Sequence, residues 1–179
     1  MTSNISLSPH FSLKEFTESA TARKHGLNNT PPPEAVENLR ALCVQTLEPL
    51  REALGLPIII TSGYRCKTLN DKLAHSSERS QHMEGCAADF YVAQGPVSGS
   101  RGQDSRSTSG LSRRELLIKA FRQIILDESI DYDQLILYPS FIHVSYVNRE
   151  HNRRTILLGM RNGTLGYGKC SIQNALKIQ

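Results

Sequence analysis

The sequence predicts an α+β fold, a mostly antiparallel sheet of four or five strands with helices packed on it. Helical periodicity dominates the first 54 residues. Short β-branched runs bounded by turn residues dominate the rest of the chain. Two of those runs meet at Pro139-Ser140, as the arms of a hairpin do. Helices followed by a run of strands are the signature of that class.

Ser12-Leu13-Lys14-Glu15 has the S-x-x-E form of a capping box, so a short helix starts there. In NNTPPPEAVENL a turn leads into a helix, and proline is tolerated in the first helical turn because its missing N–H has no partner there anyway. From Glu34 to Leu54 the apolar residues Val36, Leu39, Leu42, Cys43, Leu47, Leu50 and Leu54 recur at helical spacing. Pro49 should bend or split this helix, and Gly55 should end it. PIIITSGY, residues 57–64, is a buried strand by its β-branched run. RCKTLNDKLAH predicts a short helix, and AADFYV, 87–92, a second strand. Residues 94–112, rich in Gly, Ser and Arg with little to bury, predict a flexible loop. Ser112 to Glu115 is a second capping box, opening a helix to about Glu128 that buries Leu116, Leu117, Ala120, Phe121, Ile124 and Ile125. DQLILYPSFIHVSYV is the hairpin, and TILLGM, 155–160, a fifth strand entered by a turn at Asn152 to Arg154. The Gly-rich tail after Asn162 carries no clear signal.

A chain of this length forms one domain, expected over 1–179, with room for a substantial core. No apolar run approaches the roughly 18 residues that span a bilayer. The N-terminus has neither a basic nor an apolar signal region, so a cytoplasmic protein is expected, one that lysis could release to the cell wall. The net charge is +4, and arginines cluster between Arg101 and Arg154. No stacking aromatics are interleaved with them, which argues for a solvated face and against nucleic acid. Cys43, Cys66, Cys86 and Cys170 form no CxxC pair, so free thiols are expected.

The chemistry gathers in SQHMEGCAADF, residues 80–90. His82 opens a turn that Gly85 lets fold tightly. Asp89 begins a strand between Ala88 and Phe90, where a carboxylate is partly buried and needs a partner or a metal. His143 stands mid-strand in FIHVSY with the same need. Two imidazoles and a carboxylate make a common zinc set that leaves a fourth position to water. They also make an ordinary hydrogen-bonded core triad, and spacing alone leaves both open. His10, His25, His75 and His151 have no such setting and are read as ordinary surface or core histidines.

SGYR at 62–65, LN at 69–70, SQHMEGCAADF and FIHVSY together resemble the zinc D-Ala-D-Ala carboxypeptidase family. That family also holds dipeptidases and phage-type L-alanyl-D-glutamate endopeptidases. Serine two before the first histidine, aspartate seven after it, and a later H-x-S form its specific pattern. The resemblance implies zinc ligands His82, Asp89 and His143, an oxyanion-supporting Arg65, and a substrate-contacting Ser80. It implies hydrolysis of D-amino-acid-containing peptidoglycan stem peptides by a zinc-activated water. With no apolar span in the chain, no membrane partner is expected, and a monomer is expected. One departure stands out. Where many members carry a carboxylate base three residues before the last histidine, this chain has Ser140, and Leu137 and Tyr138 fill the alternative positions. Asp133, in YDQLI, is a candidate to carry the proton, as is a substitute acting through Tyr138, but Asp133 reads equally as a loop-anchoring carboxylate, so the base stays unassigned; Glu84 is expected to face solvent. The same fold is similar to the hedgehog signalling domain, so a zinc-binding module without turnover is the competing expectation. A basic scaffold or nucleic-acid protein is a third.

Overall fold

The structure, a computed structural model, describes residues 5–74, 76–95, 111–159 and 167–178. Two short helices, α1 (Leu13–Thr17) and α2 (Ala20–Lys24), lead in. The Ser12 N–H donates to Glu15 Oε1 at 2.8 Å, as the capping box requires. The long helical pattern is realised as α3 (Pro33–Leu42), one π-helical segment (Cys43–Leu47) and α4 (Glu48–Leu54), closed by Gly55 at φ +63°. Pro49 is the cause: its ring clashes with the carbonyl four residues back, and a widened turn relieves the crowding. That carbonyl, Gln45 O, accepts the Asp131 N–H at 3.1 Å, and the Thr46 hydroxyl donates to Asp131 O. The bend therefore ties the helix to the segment that enters the central hairpin.

The strands are β1 (Ile58–Ser62), β2 (Ala87–Val92), β3 (Gln134–Leu137), β4 (Ile142–Ser145), β5 (Thr155–Gly159) and β6 (Tyr167–Lys169). Between β1 and β2 lies the short helix α5 (Lys67–Lys72), and between β2 and β3 lies α6 (Arg113–Leu126). The sheet order is β1-β2-β4-β3-β5-β6, and every neighbouring pair is antiparallel except β3 and β5. Both strand-like runs of the hairpin form and pair as expected.

The described residues hold six strands rather than four or five. The extra strand, β6, and a last turn of helix, α7 (Ile172–Ala175), come from the tail. Neither has a long apolar repeat. The tail is fastened instead by Arg122 of α6, whose Nη2 donates to Leu176 O at 2.6 Å and Ile178 O at 2.7 Å, and by the fully buried Ala175. Most of the expected 94–112 loop, and His75, lie outside the described residues.

Side chains alternate across the sheet, so one row of partners shares a face. Ser62, Asp89, His143, Ile136 and Leu157 form such a row across five strands. Their neighbours Phe90, Ile142, Val144, Leu135, Leu137 and Ile156 turn into the core, where they meet Leu39, Leu42, Leu47 and Leu50 of the first helices and Leu117, Phe121 and Ile124 of α6. The helices thus seal one face, and the row containing Asp89 and His143 opens on the other.

Gly85 is required twice over. Its φ is +75°, and a Cβ there would lie 2.3 Å from Ala35 O on α3. Gly85→Ala is expected to lower stability by about 2 kcal/mol or more, read by denaturant unfolding. A change within about 0.5 kcal/mol would mean that α3 and the turn separate freely.

Candidate metal centre and its cleft

A short 3₁₀ turn, Gln81–Glu84, carries His82, and Gly85 then reverses the chain into β2, bringing Asp89 beside it. His143 arrives from the hairpin as Asp89's direct partner across β2 and β4. The three side chains converge. His82 Nε2 lies 3.2 Å from His143 Nδ1 and 3.3 Å from Asp89 Oδ1, and His143 Nδ1 lies 2.8 Å from Asp89 Oδ1.

The tautomer of His82 is set by its other nitrogen. Nδ1 sits 2.7 Å from Gly63 O, which can only accept, so Nδ1 carries the proton and Nε2 presents a lone pair to the cluster. Gly63 reaches this place because β1 bulges between Ile60 and Ser62, opposite Asp89. Phe16 packs so closely on Gly63 that a Cβ there would lie 2.6 Å from it.

The donor set fits zinc. Ligands about 2.0–2.1 Å from a tetrahedral zinc stand roughly 3.3 Å apart. Two of the three separations match that edge. The third is shorter because His143 and Asp89 share a hydrogen bond, whose proton metal binding would displace.

Arg65 completes the centre. Its Nη2 donates to Asp89 Oδ2 at 2.7 Å and its Nε to Ser62 Oγ at 3.0 Å. Asp89 thus offers one oxygen to the histidines and the other to a guanidinium. Burial alone would raise its pKa, but attraction to His82 as that ring protonates and the hydrogen bond from His143 outweigh it and hold Asp89 below the usual carboxylate range. Burial dominates for His82 and pushes its pKa below the ordinary imidazole value, despite Asp89.

Both shifts have the same consequence for pH. Below the unfolded histidine value, near 6.5, the unfolded chain takes a proton that folded His82 refuses, so stability is lost as pH falls. Asp89 contributes stability above its unfolded value, near 3.9, which is lost as pH falls further. The metal-free protein is therefore expected to melt several degrees lower at pH 5 than at pH 7.5, and His82→Gln should flatten that slope. An unchanged slope in the variant would remove His82 as its source.

The cluster lies in a cleft of about 900 Å³. Arg65, Ser80, Gln81, Asp133, Tyr138, Phe141 and Arg153 line it with the three ligand candidates. Every sequence-predicted site residue is therefore at one cleft, though not all touch. Ser80 caps the 3₁₀ turn and is half-buried. Tyr138 stacks on Phe141 at 4.3 Å between ring centroids. Glu84 is exposed, as expected. Asp133 is 1% exposed and stands apart from the ligand cluster, accepting from Arg153 N, Nε and Nη2, from Gln81 Nε2 and from Ser145 Oγ. Five donors crowd its two oxygens, so a proton-carrying role, as expected for Asp133 from sequence, would have to compete with these bonds.

Nothing local in the sequence singles out Arg153 and Gln81. The available signal is Asp133 itself, since a carboxylate entering a buried strand demands a cation. All four cysteines are free. Burial pushes the Cys86 thiol up to about 11, which keeps it protonated at neutral pH in the metal-free protein. Among the described residues no helix is long and apolar enough to cross a membrane.

A peptidase M15 family model matches residues 9–116, more than half of the chain, including Arg65, Ser80, His82 and Asp89. No curated protein matches. His143 lies beyond the matched segment, and the sheet register brings it to the other two. With that match and this triad together, the chain belongs to the peptidase M15 family, that of the zinc D-Ala-D-Ala carboxypeptidases.

Proposed function

We propose that this protein is a zinc peptidase that hydrolyses D-amino-acid-containing peptidoglycan stem peptides, as a carboxypeptidase or an endopeptidase. The observation that carries the reading is the convergence of His82, Asp89 and His143 beside Arg65 on an open cleft, in a chain of this family. His82 Nε2, His143 Nδ1 and Asp89 Oδ1 would hold the metal. When bound, zinc polarises a carbonyl and lowers the pKa of a water toward about 7.

The protein's own groups do the rest. Arg65 fixes the orientation of Asp89 through Nη2 and has no protein partner for Nη1 among the described residues. A guanidinium N–H placed there stabilises the oxyanion that forms as the amide carbonyl is attacked. The Ser80 hydroxyl offers the substrate a hydrogen bond. Asp133 acts as a clasp, holding Arg153 on one side and Gln81, the neighbour of His82, on the other. Tyr138 and Phe141 give the cleft an apolar wall against which a peptide side chain packs.

One observation favours the competing reading, a zinc-binding module that holds cell-wall peptide or a protein partner without cutting. Among the described residues the carboxylates lining the cleft are Asp89 and Asp133, and both are engaged. Mass spectrometry of peptidoglycan fragments incubated with zinc-loaded protein, beside His82→Ala, separates the two. Loss of a terminal D-Ala, or a cut within the stem, only with the unmutated protein, is the expected result. Intact fragments at one zinc per chain would overturn the peptidase and leave the module.

A further inference from the structure

We propose that Arg153 is a substrate-binding residue of this cleft, seating an ionised carboxylate of the peptide away from the bond that is cut. The proposal rests on the peptidase reading for its choice of a peptide ligand and goes beyond it by naming a chemical feature of that peptide.

Arg153 is held as a presented cation. Its backbone N–H, Nε and Nη2 all bond Asp133, so a buried carboxylate fixes both its main chain and one edge of its guanidinium. Its side chain is nonetheless 57% exposed and lines the cleft, with no protein partner for Nη1 among the described residues. The other cleft arginines differ. Arg65 also leaves Nη1 unpaired among the described residues, but it is only 14% exposed and is tied through Asp89 to the metal cluster itself. Arg79 is exposed, and its side chain has no anchor among the described residues. A guanidinium anchored on one edge and open on the other binds a carboxylate with little further loss of side-chain freedom.

The backbone next to it is built for this placement. Arg154 has φ +48°, in the left-handed region that a non-glycine residue enters at a cost. That kink sends consecutive arginines to different partners. Arg153 goes to Asp133 and the cleft, while Arg154 goes to Asp131 at 3.4 Å and stacks over Tyr132. Thr155 N–H, donating to Asp133 O at 2.9 Å, locks the start of β5. Strain of this kind persists where surrounding contacts over-determine it, and here those contacts aim Arg153.

Charge agrees. Arg65, Arg79 and Arg153 line the cleft, and its two carboxylates are buried in ion pairs. An anionic peptide is what such a cleft attracts. Distance narrows the anion. Arg153 lies two strand spacings across the sheet and four residues along it from the row that holds His143, about 16 Å between backbones. A peptide residue spans at most about 3.5 Å. The carboxylate therefore belongs to a residue several positions from the cut, or to a side chain that reaches as far. A C-terminal carboxylate and an internal acidic residue share that chemistry.

The test uses zinc-loaded protein and three synthetic stem peptides: one with every carboxylate free, one amidated only at the C-terminus, and one amidated only at the internal acid. Affinity is read by calorimetry, and KM and kcat wherever turnover occurs. Amidating the carboxylate that Arg153 holds should weaken binding about tenfold to a hundredfold, mostly in KM. Arg153→Gln should bind the acid and amide forms alike. Because that variant leaves Asp133 buried without its cation, Asp133→Asn combined with Arg153→Gln provides a second background without the buried charge. Which amide is penalised names the source of the carboxylate. If the wild type ignores both amidations, or if both variants keep the wild-type preference for acid, Arg153 is only a structural clasp. Carboxylate preference without turnover would sink the peptidase and spare this site, whereas turnover without preference would do the reverse.

Discussion

Asp89→Ala is expected to strip zinc from the protein and, independently, to destabilise the metal-free fold. The carboxylate is the hub of the centre, one oxygen on both histidines and the other on Arg65. Without it a three-ligand site becomes a two-ligand site, and bound zinc after dialysis should fall from near one to below about 0.1 per chain. The metal-free fold suffers for a different reason. Arg65 is 14% exposed and His82 4% exposed, and deletion leaves a largely buried guanidinium without its counter-charge. Removing one partner of such a pair costs about 3–5 kcal/mol. Asp89→Asn separates the two effects, because the amide keeps the shape and much of the hydrogen bonding but makes a poor ligand. Metal analysis should therefore group Asn with Ala, while thermal melting of the metal-free proteins should place Asn between Ala and the wild type. Full zinc in both variants would show that the three side chains are a hydrogen-bonded core triad after all.

The sequence announces this centre more clearly than the cleft around it, for a physical reason. His82, Gly85 and Asp89 lie within one turn and one strand, so their geometry is local. A 3₁₀ turn closed by a left-handed glycine leaves few ways to arrange them. His143 is remote, but strand alternation fixes its face once the hairpin is recognised. Arg153 is different. Nothing near it in sequence says that it bonds Asp133, and a run such as Arg153-Arg154 looks like a solvated turn until the kink at Arg154 is seen. The Gln81 link to Asp133 joins residues 52 positions apart and has no periodicity to betray it. The same holds for β6 and α7, which are held by backbone pairing and by Arg122 rather than by an apolar repeat. The split at Pro49 is legible as a break. Its form as a π turn is not, since that depends on a partner, Asp131, that only the tertiary structure supplies.

Arg65→Lys carries the second large effect, and it tests whether the arginine does more than hold Asp89. A lysine can approach Asp89 with a single ammonium, but it cannot reach Ser62, Asp89 and a substrate oxygen together, because it lacks the planar fork. If Arg65 supports the oxyanion, kcat should fall about 10²–10³-fold with KM changed far less, because the lost contact forms fully only in the transition state. Assays at saturating zinc remove the further loss of metal affinity, about 10–100-fold, that a disturbed partner of a ligand brings. A purely structural Arg65 makes the opposite prediction: kcat restored once zinc is saturating, with the penalty confined to metal affinity and melting temperature. The two outcomes differ in which quantity recovers with added metal, so a zinc titration of the variant's kcat decides between them even if its stability is reduced.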